Sequence, residues 1–191
     1  MWPVVLYGDE ITLRPARFRD RARWNNLRAE NREWLTPWEA TLPLIPEDSP
    51  ASEYHSKRPS FIEMVTNLNR EARAGRSYSF LIWSGSNLVG QITMGGVIYG
   101  ALRGAHIGYW IDRHYANRGF TTQAVKLVSA FGFSQLGLHR IEINVRPENA
   151  ASCRVAEKAG FVLEGHRKAF LHIDGAWRDH VCFVKNNELI K

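Results

Sequence analysis

The sequence predicts an α+β, or mixed α/β, fold with one sheet and helices packed against it. Three observations lead to this prediction: segments in which apolar and polar residues alternate, segments with apolar residues at helical spacing, and an Asp-Gly dipeptide typical of a hairpin turn near the C-terminus. The chain has 191 residues, close to the usual length of one domain, and shows no internal repeat. We therefore expect a single domain over residues 1–191.

The predicted strands form a first strand, a meander, a single strand and a hairpin. In the single strand, Ile141, Ile143 and Val145 face one way, and the polar residues between them face the other. The dipeptide Asp174-Gly175 separates the two strands of the hairpin. The strands cover residues 11–14, 78–83, 88–94, 104–111, 140–145, 161–173 and 177–184.

Helices are predicted to begin near residue 20, at residue 60, after residue 119 and near residue 149. The second has the clearest start, because Ser60 and Glu63 have the spacing of a capping box. A proline-rich loop over residues 42–59 precedes it. The first helix is crowded with arginines, which indicates either a solvated face or a contact with a phosphate or an acidic partner.

Composition and charge favour a soluble globular protein. Hydrophobic residues make up 45% and charged residues 23% of the chain, close to the average for that class. The net charge of +6 suits an anionic ligand but does not by itself establish nucleic-acid binding. No apolar run approaches the roughly 20 residues of a membrane span, and the N-terminus lacks a signal-peptide pattern. Cys153 and Cys182 fit no zinc spacing, so we expect a cytoplasmic protein without membrane attachment or metal.

The stretch from Tyr109 to Ala124 carries the clearest chemical signal. A predicted strand ends in a polar turn, and a helix begins directly after Gly119. The first turn of a helix has unpaired N–H groups with a partial positive charge, and Thr121 and Thr122 add hydroxyl donors. This arrangement suits a phosphate or pyrophosphate, although a plain helix cap and tight turn would give the same local pattern.

Five motifs in the right order resemble the GNAT superfamily of acetyl-CoA-dependent N-acetyltransferases, and more closely its RimJ/RimL ribosomal-protein-alanine N-acetyltransferase branch. The resemblance extends from about residue 11 to residue 184. It implies one central, mostly antiparallel sheet with a splayed strand pair, flanking helices and a C-terminal hairpin. The motifs are residues 108–111, residues 117–122, Asn149 with Ser152, residues 158–161 and residues 174–180.

The resemblance implies that acetyl-CoA is the co-substrate. The family's pyrophosphate loop, Q/R-x-x-G-x-G/A, matches residues 116–121, where Gly119 is kept but Ala116 and Thr121 depart from the pattern. Arg118 is the expected substitute charge. Asn149 would fix the pantetheine arm, although it is equally suited to capping the helix that follows. The full set expected at acetyl-CoA is Tyr109, Trp110, Ile111, Asn117, Arg118, Gly119, Phe120, Thr121, Thr122, Asn149 and Ser152.

The resemblance also implies direct attack of an amine on the thioester in a ternary complex. A main-chain N–H near Ile111 would hold the developing oxyanion. Many relatives have a tyrosine acid seven residues after the asparagine, but Ala156 occupies that position here. The resemblance to the RimJ/RimL branch, which has a serine three residues after the asparagine, implies that Ser152 is a proton donor or hydrogen-bond donor to the sulfur. The alternative is a serine in the first turn of the helix with no chemical role. Glu142 is the candidate general base, with a salt bridge to Arg140 as the structural alternative.

The expected acceptor is the N-terminal α-amine of a protein, in particular a ribosomal protein that begins with Ala or Ser. Trp34 and Trp38 resemble the aromatic segment that lines the acceptor groove in this branch, with a hydrophobic plug under the loop as the alternative. Tyr99 and the hairpin over residues 170–177 are assigned to the opposite wall of the groove, and Asn144, which stands where some relatives have a glutamate base, is also assigned to it. The alternatives are acetylation of a small amine, such as an aminoglycoside or polyamine, and a non-catalytic module that binds acyl-CoA or RNA. Nucleic-acid contact is expected only through the ribosome, and the protein is expected to be a monomer or weak dimer.

Overall fold

In the computed structural model, which describes residues 2–44 and 59–188, eight strands form one open sheet in the order β1-β2-β3-β4-β5-β6-β8-β7. Neighbouring strands in this part of the chain are antiparallel, except β5 and β6, which are parallel. The mixed fold with one mostly antiparallel sheet is confirmed. The strands are β1 (Leu6–Tyr7), β2 (Thr12–Arg14), β3 (Tyr78–Ser84), β4 (Asn87–Ile98), β5 (Gly104–Ile111), β6 (Arg140–Val145), β7 (Val162–Ile173) and β8 (Ala176–Asn186).

The predicted helices are present where their local signals place them. The capping box at the start of α3 is confirmed, because the Glu63 N–H donates to Ser60 Oγ at 3.3 Å and the Ser60 N–H donates to the Glu63 carboxylate at 2.7 Å. Most of the predicted proline-rich loop, residues 45–58, lies outside the described residues. The helices are α1 (Arg21–Glu30), α2 (Arg32–Leu35), α3 (Phe61–Arg73), α4 (Phe120–Ser134) and α5 (Ala150–Lys158).

Among the short elements that have no counterpart in the sequence prediction are a first strand and the segment after α1. Strand β1 has only two residues, too few for an alternation pattern to show. The chain after α1 turns through α2 and a 3₁₀ turn at Thr36–Trp38, where Pro37 lies inside the turn. This segment after α1 matters for the site, since it carries both tryptophans assigned to the acceptor groove.

Helices pack on both faces of the sheet. On one face, α4 and α5 cover the main core, in which Val125, Ile141 and Ile143 are almost fully buried. On the other, α1 and α3 pack on β3 and β4 over a smaller cluster that includes Leu81 and Leu88. None of the helices among the described residues is both long and apolar enough to cross a bilayer.

Strands β5 and β6 separate soon after they begin. Ladder pairs join them only at residues 104–106 and 140–142. Beyond these pairs, residues 108–111 of β5 continue to pair with β4, while residues 143–145 of β6 continue to pair with β8. The predicted splayed strand pair is therefore present, and a notch opens in the sheet beside the C-terminal half of β5.

Candidate functional site

A cavity of about 1830 Å³ passes along this notch and is bordered by elements from both faces of the sheet. On one face it is lined by the start of α4 and by α5, including Gly119 and Ser152. On the other it is lined by α1 and the segment after it, including Trp24 and Trp34. A pocket for one small ligand usually measures about 300–1,000 Å³, so this space can hold two reactants at once.

The start of α4 presents open backbone amides to the cavity. Gly119 is the N-cap with a left-handed φ of +83°, and no side chain caps the helix. The first intrahelical bond runs from Gln123 N–H to the Gly119 carbonyl at 2.9 Å, so the N–H groups of residues 120–122 precede the helical ladder. A Cβ added at Gly119 would meet nothing within 4 Å. The geometry is that of an anion site.

Cationic side chains from two elements line the cavity. The Arg118 guanidinium lies 5.0 Å from the centre of the Tyr115 ring, which stacks on Phe120 at 6.0 Å. Arg154 and Lys158, one helical turn apart on α5, also line the cavity. Arg154 and Lys158 were not among the site residues predicted from the sequence. Their i,i+4 spacing on the helix after Asn149 is a signal that could have indicated a second group of cationic residues at the site.

Strand β5 offers unpaired main-chain groups to the notch. The Asp112 N–H donates to the Val89 carbonyl at 2.8 Å, and antiparallel pairs alternate between bonded and non-bonded. The main chain of Trp110 is therefore directed at β4, in agreement with the close approach of its carbonyl to Gly90. The N–H and C=O groups of Tyr109 and Ile111 point the other way. Of the three β5 residues expected at acetyl-CoA, Tyr109 can therefore pair with a ligand through both backbone groups and Ile111 through its N–H, since the Ile111 carbonyl accepts a hydrogen bond from Trp34.

Ser152 is held in place at the edge of the cavity by two neighbours. Its N–H donates to Asn149 Oδ1 at 3.0 Å. Asn149 therefore caps α5, which is the alternative role expected from the sequence. Its hydroxyl lies 2.8 Å from the Tyr109 hydroxyl. Burial is the main reason why the pKa of Tyr109 rises to about 12, with the hydrogen bond from Ser152 opposing it. The phenol stays protonated at neutral pH and can share a proton with Ser152.

Glu142 is not brought to the cavity. Its carboxylate accepts hydrogen bonds from Arg140 at 2.9 Å and from Arg167 at 2.8 Å, and Cys182 Sγ lies 3.7 Å away. Burial alone would raise the pKa of Glu142, but the two arginines outweigh it and hold the pKa below its usual value. A carboxylate fixed in this way is a poor proton acceptor, so the structure supports the salt-bridge alternative. Asn144 is next on the same strand face, half-buried, and is likewise not among the residues that line the cavity.

The aromatic segment after α1 borders the cavity on the face opposite α4. Trp34 Nε1 donates to the Ile111 carbonyl at 3.1 Å, at the end of β5. Arg146, just after β6, donates to the Pro37 carbonyl at 2.9 Å and stacks on Trp38 at 5.3 Å. Both predicted tryptophans therefore line the cavity, and their segment bridges the two diverging strands.

Tyr99 does not line the cavity, contrary to the expectation that it forms the opposite wall. It lies near the turn between β4 and β5, with its hydroxyl close to Gly75 and near the hydroxyl of Tyr78. The C-terminal hairpin, also expected there, acts indirectly. Its His172 carbonyl accepts from the Thr41 N–H at 2.9 Å, and Ala40 forms a bridge with Ile173. The hairpin thus holds residues 39–42 where they line the cavity.

Comparison with known proteins agrees with this architecture. Residues 10–162 match the Acetyltransferase (GNAT) domain family. The probable N-acetyltransferase YjcK of Bacillus subtilis is 35% identical over 92% of this chain and 93% of its own length. The [ribosomal protein uS5]-alanine N-acetyltransferase of Escherichia coli is 28% identical over 93% of this chain and 88% of its own.

Solved structures show the same similarity. The structure of Mycobacterium smegmatis RimJ in complex with CoA-disulfide superimposes with a TM-score of 0.87 and 36% identity, over 99% of this chain and 90% of that one. The ribosomal-protein-S5-alanine acetyltransferase of Vibrio fischeri gives a TM-score of 0.83 and 25% identity, over 98% of this chain and 99% of that one. The similarity covers both the sheet and the helices that border the notch.

Proposed function

Because the chain belongs to the Acetyltransferase (GNAT) domain family and is an acetyl-CoA-dependent N-acetyltransferase, we propose that it acetylates the N-terminal α-amine of a protein. The observation that carries this proposal is the chemistry of the acceptor side of the cavity. Trp24, Trp34, Trp38 and Trp110 line it, and the carboxylate of Glu39 on that side is paired with Arg28. An aromatic groove with its carboxylate already neutralised suits a single terminal amine on a peptide.

A small polycation would need different surroundings. An aminoglycoside or polyamine carries several positive charges, and a site that binds it would present several unpaired carboxylates. Here the Glu39 carboxylate is already paired with Arg28, whose guanidinium also lies 5.1 Å from the centre of the Trp110 ring. The acceptor is therefore proposed to carry one ammonium and to continue as a neutral main chain.

The identity of the terminal residue is proposed from the relatives. The E. coli relative is named for the alanine of ribosomal protein uS5. We extend this to a small residue, Ala or Ser, at the N-terminus of a ribosomal protein. Such an acceptor would place the enzyme in the cytoplasm.

Acetyl-CoA fits the residues on the α4 side. The amides of residues 120–122 and the Arg118 guanidinium suit the pyrophosphate, while Arg154 and Lys158 suit a further phosphate. The outward-facing N–H and C=O groups of Tyr109 suit the amides of pantetheine, which would add as an extra strand, and the Ile111 N–H is left for the thioester carbonyl. The Asn149 side-chain oxygen is engaged by Ser152, so its amide NH₂ is the group left for the cofactor arm.

The proposed reaction is direct transfer within a ternary complex. The amine attacks the thioester carbonyl from the tryptophan-lined side, and the Ile111 N–H, aimed into the notch, stabilises the charge that develops on the carbonyl oxygen. Ser152 donates a proton to the departing sulfur and regains one through the Tyr109 hydroxyl, 2.8 Å away.

A panel of short peptides tests the acceptor. Peptides with a free N-terminal Ala or Ser should release CoA thiol at a rate that depends on peptide concentration, whereas the same peptides with a blocked N-terminus should not. Kanamycin and spermidine serve as small-amine comparisons. Turnover of either amine together with inert peptides would overturn the protein acceptor while leaving the acetyltransferase activity in place.

A further inference from the structure

His106 is an exposed histidine in the cavity that the assignments above do not use. It lies on β5 two residues before Gly108 and four before Trp110, and all three line the cavity. Residues at this spacing project from the same face of a strand, and each step of two covers about 6.6 Å. His106 therefore lies beside the notch on the face where the acceptor is proposed to enter.

Two glycines on β4 make room for the imidazole. Gly95 pairs with His106 in the ladder, and a bulge follows it. A Cβ on Gly95 would lie 3.1 Å from His106 Nε2, and a Cβ on Gly96 would lie 2.9 Å from both Nδ1 and Cε1. The ring thus rests against bare backbone. Among residues 2–44 and 59–188, we find no hydrogen bond or ion pair to either ring nitrogen, so both are available to a ligand or water.

The surroundings keep the ring neutral near pH 7. Desolvation lowers the pKa of His106, and the negative charge of Glu142, which faces it from β6, opposes this without reversing it. Glu142 is itself neutralised by Arg140 and Arg167. The β4 residues against the ring, Gly95 and Gly96, carry no titratable group. A neutral imidazole is in the form that accepts a proton.

We propose that His106 is the general base that removes a proton from the acceptor ammonium, directly or through one water. The reaction needs this step, because an N-terminal amine has a pKa of about 8 and is mostly protonated at pH 7. The mechanism assigns no other proton acceptor on this face, since Glu142 is held by two arginines.

The proton balance of the step is complete. One proton passes from the ammonium to the imidazole, and the freed lone pair forms the C–N bond. The C–S bond breaks with its electron pair on sulfur. The second amine proton replaces the one that Ser152 gives to that sulfur, and the imidazolium returns its proton to solvent. The products are the amide, the CoA thiol and one released proton.

The pH dependence of His106→Gln tests this role. The experiment uses the acceptor that the wild-type enzyme acetylates fastest, peptide or small amine, and so does not depend on the protein acceptor. At pH 7 we expect kcat/KM for the acceptor to fall by about 100-fold. At pH 9 the amine is largely neutral, so the loss should shrink to less than about 10-fold. The KM for acetyl-CoA should not change.

The control is His166→Gln, an exposed histidine on β7 that does not line the cavity and should retain wild-type rates. His106→Asn serves as a second variant, and the melting temperature of each variant checks folding. A loss of equal size at pH 7 and pH 9 would show a merely structural role and overturn the proposal. Rates within two-fold of wild type at both pH values would also overturn it.

Discussion

The indole nitrogen of Trp34 donates a hydrogen bond to the main-chain carbonyl of Ile111 at 3.1 Å. This carbonyl is at the end of β5, where β6 has already diverged and offers no ladder partner. On the other side of the notch, Arg146 binds the carbonyl of Pro37 at 2.9 Å. The short segment between these contacts therefore spans the gap in the sheet and replaces part of the pairing that the divergence removes.

Trp34→Phe should loosen the end of β5. The variant keeps an aromatic ring in the cavity but removes the donor to Ile111, a loss of about 1 kcal/mol for a net hydrogen bond. Because the neighbouring N–H of Ile111 is proposed to stabilise the oxyanion, we expect kcat/KM to fall by about five-fold. Steady-state kinetics would measure this. Trp177→Phe, a change to an exposed tryptophan outside the cavity, should leave kcat/KM unchanged.

Local signals made much of the fold predictable. The capping box of Ser60 and Glu63, the glycine before α4 and the N-cap Asn149 each act within one helical turn, and each is found where the sequence placed it. The hairpin turn at Asp174-Gly175 also depends only on neighbouring residues. Elements that are fixed by nearby residues can be predicted from a short window of sequence.

The site residues that sequence reasoning misplaced depend on distant partners. Glu142 has the right strand face for a base, but Arg167, 25 residues later, neutralises it. Tyr99 was assigned to the groove for its aromatic ring, yet its contacts are with Gly75 and Tyr78. His106 gave no signal, because the register that sets it against Gly95 is not visible in either segment alone.

Gly119→Glu should abolish the thermal stabilisation by acetyl-CoA. The open space at Gly119 would take a carboxylate into the proposed pyrophosphate site, where it would repel the phosphates. In wild type, acetyl-CoA at 100 times its Kd should add about 2.7 kcal/mol to the free energy of unfolding. Melting temperatures with and without acetyl-CoA measure the difference.

The matched control is Gly85→Glu. Gly85 also has a positive φ, +56°, and open space around an added Cβ, but it lies in the turn between β3 and β4. Both variants should lose stability through the strained backbone, by roughly 1–2 kcal/mol. Only Gly85→Glu should keep the acetyl-CoA shift. An unchanged shift in Gly119→Glu would place the cofactor elsewhere.

Ser152→Ala should lower kcat with little effect on acetyl-CoA binding. The main-chain N–H of residue 152 can still be capped by Asn149, so the helix start is kept while the proton donor is lost. We expect a fall of about 100-fold in kcat, in the range for loss of a general acid. Stopped assays of CoA thiol release would measure it. A variant with normal kcat would assign Ser152 to helix structure alone.

Tyr109→Phe removes the hydroxyl group but keeps the aromatic ring. The pKa of Tyr109 is raised to about 12, so the hydroxyl stays protonated up to pH 10 and should produce no alkaline limb in the wild-type profile. The variant should reduce kcat less than Ser152→Ala does, because the serine hydroxyl remains. A wild-type decline between pH 8 and pH 10 that disappears in Tyr109→Phe would contradict this account.

Asp20→Asn should destabilise the protein, and the size of the effect should depend on pH. The Asp20 carboxylate is 3% exposed, binds both terminal nitrogens of Arg14 at 2.8 Å and accepts the Arg17 N–H at 2.8 Å. Breaking a buried pair by removing one charge costs about 3 kcal/mol. Urea unfolding at pH 7 should show this loss. Glu71→Gln, which removes an equally bidentate but solvent-exposed partner of Arg76, should change stability little.

The direction of the pH effect follows from the lowered pKa of Asp20. Burial alone would raise it, but the hydrogen bonds and charge of Arg14, with the Arg17 amide, hold it below the ordinary value of 3.8. The folded state therefore favours the ionised carboxylate, and its contribution is complete above the unfolded-state pKa. As the pH falls below 3.8, the difference in unfolding free energy between wild type and Asp20→Asn should shrink. A difference that stays constant from pH 7 down to pH 3 would show that packing, rather than the ion pair, makes Asp20 stabilising.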